Sequence, residues 1–261
     1  MKKNKFILGG IAGILLLSGC KKDELEYDSN IKGPLSVEFD NVAGSSDLQL
    51  GTATYTNANA QQFNITLAKY YVSNFKFTRT DGTVYTVPQS ESYFLVNDAD
   101  ATTHAPEMQV PEGEYKSVSF VLGVDSLRNT MDVSQRTGVL DVTGAASTMY
   151  WSWNSGYIFF KLEGNATGFG NYEYHVGGFG GYSTPTTNNL RTITLDLTAR
   201  GTAKVKSGKE TNIHLLVDLL KAVNGTTNMN FATTLMIHSP TPGAAIANNY
   251  VNMFSHDHTE N

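Results

Sequence analysis

Cysteine is nearly missing: the 261 residues hold one, Cys20. Nothing downstream of it can close a disulfide or offer a thiolate, which excludes zinc ribbons, cysteine nucleophiles and blue-copper centres from the folded part. Long apolar runs are as scarce. The stretch Phe6 to Leu17 is shorter than the about 20 residues that cross a bilayer, and no other run approaches that length. Basic charge is in deficit too. Once Lys2, Lys3 and Lys5 are set aside, 16 basic residues face 24 acidic ones, a net charge of −8. A chain of that balance lacks the cationic surface that binds phosphate backbones, so nucleic acid is excluded as a partner.

The order of the first twenty residues is informative. Three lysines lead, the apolar stretch follows, and Leu17-Ser18-Gly19-Cys20 closes it, the layout of a secretory signal. The ending resembles a bacterial lipobox, in which residues 1–19 are removed and Cys20 is acylated as the new N-terminus. Several acyl chains give lasting membrane attachment where one is marginal. Residues 20–33, with Lys21 to Glu26 densely charged, read as a lipidated cysteine and solvated tether. The Lys-Asp-Glu run also resembles a surface-export signal of Bacteroidetes lipoproteins, while a plain charged linker explains it equally. The expected location is the outer membrane, facing the periplasm or the cell exterior.

Residues 34–255 read as one β-rich domain, and 256–261 as a histidine-containing tail. Leu35-Ser36-Val37-Glu38-Phe39 and Phe75-Lys76-Phe77-Thr78-Arg79 alternate apolar and polar with period two, as half-buried strands do. Asp81-Gly82 then opens Thr83 to Val87, a hairpin signal. Further strands are expected over Phe63–Leu67, Tyr93–Val96, Tyr115–Leu122, Tyr157–Leu162, Tyr172–Val176, Thr192–Leu197, Asn212–Leu216 and Phe231–Ile237. Helix is expected only over Asp218 to Val223 and from Pro242 to Phe254. Many short strands separated by turns predict an all-β chain, an antiparallel β-sandwich with a few short helices.

Catalytic motifs are absent. There is no Gly-x-Ser-x-Gly elbow, no His-Glu-x-x-His and no Walker loop, so turnover is not expected. Glu163 and Glu173 are two acids within reach of one loop, a pattern that strand-edge carboxylates also give. The metal-ligating side chains are therefore the six histidines. His256 and His258, two apart, suit either a chelate or a frayed tail. His214 reads as a satisfied strand histidine, and His238 as uninformative. His104, in the polar loop Asp98 to Pro106, suits either role. His175 stands in Tyr172-Glu173-Tyr174-His175-Val176-Gly177-Gly178, where glycines allow close backbone approach; taken alone, such a histidine is more often structural than a ligand.

Both tryptophans of the chain lie in Met149-Tyr150-Trp151-Ser152-Trp153-Asn154-Ser155-Gly156-Tyr157. This Trp-x-Trp-x-x-Gly-Tyr signature resembles that of the MbnP-like family, the methanobactin-associated copper-binding proteins. Tyr70 to Asn74, Pro111 to Tyr115, Phe120 to Asp125, Tyr174 to Gly177 and Val217 to Leu220 match in the same order, from about Leu35 to Phe254. The resemblance implies an exported β-sandwich that binds copper through histidine nitrogens and carries over His175 as a metal ligand; His104 is the expected second nitrogen ligand. It also implies that a tryptophan, Trp151 or Trp153, is oxidised to kynurenine by a partner dihaem enzyme. Imidazole and an arylamine nitrogen suit copper without sulfur. A rival expectation is a metal-free surface module whose glycine loops around Trp151 and Phe179 contact a glycan or a protein.

Overall fold

A computed structural model describes residues 26–153 and 156–261. The expected signal, Cys20 with its expected acylation, and the first part of the expected tether lie outside the described residues, as do Asn154 and Ser155 of the tryptophan signature.

Alternation builds the first layer. In strand Lys32–Ala43, Leu35, Val37 and Phe39 face inward with no exposed surface, and the polar residues between them face out. This strand runs parallel to Thr211–Asp218, from Leu35 beside Thr211 to Val42 beside Asp218. Antiparallel Glu107–Pro111 and Ser46–Asp47 pair with its two ends. Phe254–Glu260 completes the five strands seen among the described residues, pairing antiparallel with Thr211–Asp218.

The second layer is larger. Its central path runs Arg191–Asp196, Gly113–Leu122, Leu67–Arg79, Gly156–Ala166, Gly170–Gly177 and Met236–Ile237. Leu67–Arg79 is long enough to serve two neighbours on one side, Gly156–Ala166 through Leu67 to Tyr70 and Gly113–Leu122 through Val72 to Arg79. It turns between them at a bulge where Asn74 has φ +54°, a left-handed conformation that asparagine tolerates. The Asn74 side chain there donates to Asp125 at 2.7 Å.

The two layers close over an aromatic core. Phe39 and Phe254 from the smaller sheet meet Phe120 and Tyr70 from the larger one, with ring centres 5.2–6.2 Å apart, and Phe75 packs behind Phe120 at 5.5 Å. The fold is thus an all-β sandwich, as the alternation predicts. Two of its pairings are parallel rather than antiparallel. The parallel pair of Lys32–Ala43 and Thr211–Asp218 needs a long crossover, and most of the larger sheet supplies it.

A second, smaller core lies on the outer face of the larger sheet. The segment from Val124 to Trp151 folds over Tyr71, Tyr157 and Phe159 and is fastened by buried polar groups. The Tyr71 and Tyr157 hydroxyls donate to the carbonyls of Val139 and Leu140 at 2.7 and 2.6 Å. Asn129, fully buried, accepts from the Tyr157 amide at 2.9 Å. Trp151 belongs to this cluster, as does Phe179, and each is 6% exposed.

Several expectations need correction. Phe63–Leu67 is no continuous strand: Phe63 ends Gln62–Phe63 and Leu67 opens Leu67–Arg79. Ser126–Thr130 is a short helix outside the two expected spans. Phe231–Ile237 is a strand only at Met236–Ile237; Phe231 instead plugs the core from a turn closed on the Asn230 carbonyl, its ring parallel to Tyr174. The helix expected over Pro242 to Phe254 is Pro240–Asn249, and Phe254 already opens a strand. Residues 256–261 are no tail: as far as Glu260 they pair with Thr211–Asp218, whose unpaired backbone edge would otherwise face solvent.

Glu112 fastens the N-terminal approach to this sandwich. Buried at 3% exposure, its carboxylate accepts from Lys206 Nζ at 2.8 Å, the Ser207 amide at 2.9 Å and the Asp28 amide at 3.1 Å. These donors, Lys206 foremost, hold its pKa down at about 2. The folded chain therefore binds this proton more weakly than the unfolded chain. The stabilisation is complete above the ordinary carboxylate value and is lost as pH falls toward about 2. In urea unfolding, Glu112→Gln is expected to lower the midpoint clearly at pH 7, with the gap to wild type narrowing steadily below pH ~4.5. A gap independent of pH overturns the assignment.

Candidate metal centre

The hairpin Gly156–Ala166 and Gly170–Gly177 sets the geometry. Its inward residues Phe160, Leu162, Tyr172, Tyr174 and Val176 enter the main core. Alternation turns Lys161, Glu163, Glu173 and His175 to the opposite face. The register places Lys161 beside His175 and Glu163 beside Glu173. The short strand Met236–Ile237 then docks parallel to Glu173 and Tyr174, which delivers His238 to the same patch. Pro240, at the start of the next helix, lies against Gly178 and holds the exit of that strand.

Two imidazoles meet here. The His175 and His238 rings stack at 4.4 Å with 23° between their planes. Glu163 lies 2.8 Å from His175 Nε2 and 3.2 Å from Lys161 Nζ, so the Nδ1 of His175 is left for another partner. Burial lowers the His175 pKa and the Glu163 carboxylate only partly offsets it. Burial likewise opposes the charge on Glu163, but His175 and Lys161 outweigh it and bring the carboxyl below its usual value.

His238 is less satisfied. Its Nε2 is buried 2.9 Å from Glu173 Oε2, yet out of line for a hydrogen bond. A buried polar atom without a partner is costly, and metal coordination is one way to meet that cost. Glu173, His175 and His238 each offer a ligand atom within 4.8 Å of the others. Bonds of about 2.0–2.2 Å are within reach of small side-chain rotations from that spacing. Two imidazole nitrogens and one carboxylate oxygen, with no sulfur, form a donor set that fits copper(II) or zinc(II). The residues present therefore fit the ion that the resemblance implies.

The tryptophan signature adjoins this patch. Gly177 lies on the same face of its strand as His175, two residues on, and the Trp151 ring stands where a Gly177 side chain would be, 2.7 Å from that position. Trp153 packs on Trp151 with ring centres 5.4 Å apart and is 63% exposed. His104 is elsewhere. It follows a 3-10 turn, Ala101–Thr103, beside the smaller sheet, where its Nε2 meets the Asn97 carbonyl at 3.1 Å. Among the described residues it joins no group with His175. Trp151 and Phe179 are packed in the smaller core, whereas Trp153 and Tyr182 of the loops around them are exposed.

Sequence reasoning singled out His175 and overlooked His238. Nothing local to His238 marks it, because its place depends on a parallel pairing with residues more than sixty positions earlier. Glu173 was visible only as half of an acidic pair. The available signal was the alternation of Glu173 and His175 on one strand face.

Comparison with known proteins agrees with this architecture. No curated protein matches the chain. A solved structure, MbnP from Methylosinus trichosporium, shares the fold: it is 15% identical, the match covers 86% of this chain and 98% of that one, and the TM-score is 0.58. The MbnP family itself matches residues 32–241, a span that includes the sandwich up to the start of its last helix, the Trp151 turn and the Glu173, His175 and His238 cluster. On that match this chain belongs to the MbnP family.

Proposed function

We propose that this chain is an exported, lipid-anchored copper-binding protein that holds its ion at Glu173, His175 and His238 and performs no turnover. The observation that carries the reading is the convergence of one ligand atom each from Glu173, His175 and His238, all within 4.8 Å of one another, beside Trp151. The chain's own residues prepare the site. Burial keeps His175 neutral and able to bind, and Glu163 fixes its ring by engaging Nε2, the carboxylate–histidine arrangement that orients metal-ligating imidazoles. Copper would supply redox and Lewis-acid chemistry there. His238 takes the place in this proposal that sequence reasoning gives to His104.

Trp153, the exposed indole, is the one a tryptophan-oxidising dihaem partner would reach first, with Trp151 packed behind it. Acylation of Cys20 would hold the domain at the outer membrane, on its periplasmic or external side.

Intact mass spectrometry and metal analysis of natively produced protein test the reading. The expected result is one copper per chain, a lipid mass on Cys20 and, where the oxidation has occurred, about 4 Da added by exchange of one carbon for one oxygen. His175→Ala and His238→Ala are each expected to abolish stoichiometric copper. Glu163→Gln should weaken binding about 10–100-fold, as loss of an orienting carboxylate does. Unchanged copper in both histidine variants overturns the site.

A further inference from the structure

A second histidine pair lies on the other sheet. Strands Thr211–Asp218 and Phe254–Glu260 pair antiparallel with His214 beside His258, and the register shifts next to that pair. A bulge breaks alternation, and here it brings two consecutive residues, Asp257 and His258, to His214. The His214 and His258 rings stack at 4.6 Å with 22° between planes. One ligand atom from each of His214, Asp257 and His258 lies within 4.8 Å of the other two.

Carboxylates surround the pair. Glu38, on the neighbouring strand and in register with His214, puts Oε2 2.8 Å from His214 Nε2. Asp257 Oδ2 lies 2.8 Å from His258 Nδ1, and Glu260 Oε1 lies 3.6 Å from His258 Nε2. Arg200 pairs with Asp257 at 3.3 Å. Two imidazoles and a carboxylate, partly exposed and bordered by more carboxylates, match the ligand preferences of borderline divalent ions and leave a coordination position for water.

We propose that His214, His258 and Asp257 form a second metal site that takes a divalent transition-metal ion such as zinc(II). Its ligands come from two strands, so the ion fastens the last strand of the chain to the smaller sheet. Metal bound to the folded form alone stabilises it by mass action. The site is independent of the copper reading, because it shares no residue with Glu173, His175 or His238.

The test uses the full chain in detergent, stripped of metal, in a His175→Ala/His238→Ala background that removes the first site. Zinc(II) is the probe, read by calorimetric titration and thermal unfolding. One zinc per chain and a rise in Tm are expected, with both lost on adding His258→Gln, a change at a half-exposed position that leaves the pairing backbone intact. Copper(II) added to background protein should selectively broaden the NMR ring signals of His214 and His258. This second readout needs no further variant. Absence of zinc binding in the background, or binding that survives His258→Gln together with His214→Gln, overturns the site. Failure at the first site leaves this result unaffected, and the reverse holds.

Discussion

Phe120→Ala is expected to lower stability by about 3–5 kcal/mol, and so to reduce Tm by roughly 6–20 °C for a domain of this size. The ring has no exposed surface and meets Phe39, Phe75 and Phe254 with centres 5.2–5.5 Å apart. Two of those partners come from the opposite sheet, so truncation opens a void where the layers meet. The surrounding strands are held by backbone ladders and relax only partly, which adds a cavity cost to the lost transfer energy. Phe39 and Phe254 also lose edge-to-face partners. In urea, the midpoint should fall with the slope unchanged. Phe120→Leu, which keeps most of the volume, should cost well under half as much. A loss below about 1 kcal/mol for the alanine variant would mean that the two sheets do not pack through this ring.

What the sequence shows of this fold follows from which interactions are local. Leu35, Val37 and Phe39 alternate with polar residues because one face of their strand is buried, and the periodicity records that burial directly. Asp81-Gly82 marks its hairpin because Gly82 takes φ +91°. Phe231 carries no such record: a buried aromatic looks the same in a strand or in a turn that plugs the core. The C-terminal segment was misread for a related reason. Period-two alternation puts His256 and His258 on one face as a chelate, but the register shift brings Asp257 and His258 together opposite His214 instead. A bulge is set by pairing with a strand some forty residues away, and single-strand patterning is blind to it. His175 was legible because glycines and aromatics flank it, whereas its partner His238 is joined to it only by the sheet.

Gly177 connects the fold to the metal centre. A Cβ there would sit 2.5 Å from the Tyr157 carbonyl oxygen and 2.7 Å from Trp151 Cζ3. The carbonyl belongs to a backbone position whose amide is held by Asn129, so the indole must give way. Gly177→Ala is expected to cost about 1–3 kcal/mol by overpacking, and Gly177→Val more. The displaced Trp151 should become more exposed, shifting its fluorescence to longer wavelength and raising quenching by iodide. His175 lies on the same strand face two residues away, so a ring pushed off Gly177 also disturbs the proposed copper ligands. Copper affinity should fall in Gly177→Ala while zinc binding at the proposed site of His214, Asp257 and His258, on the other sheet, is unchanged. A variant that unfolds more easily yet keeps native copper affinity would separate the Trp151 turn from the Glu173, His175 and His238 site. The turn would then be a packing device, and the indole would have no part in the metal's surroundings.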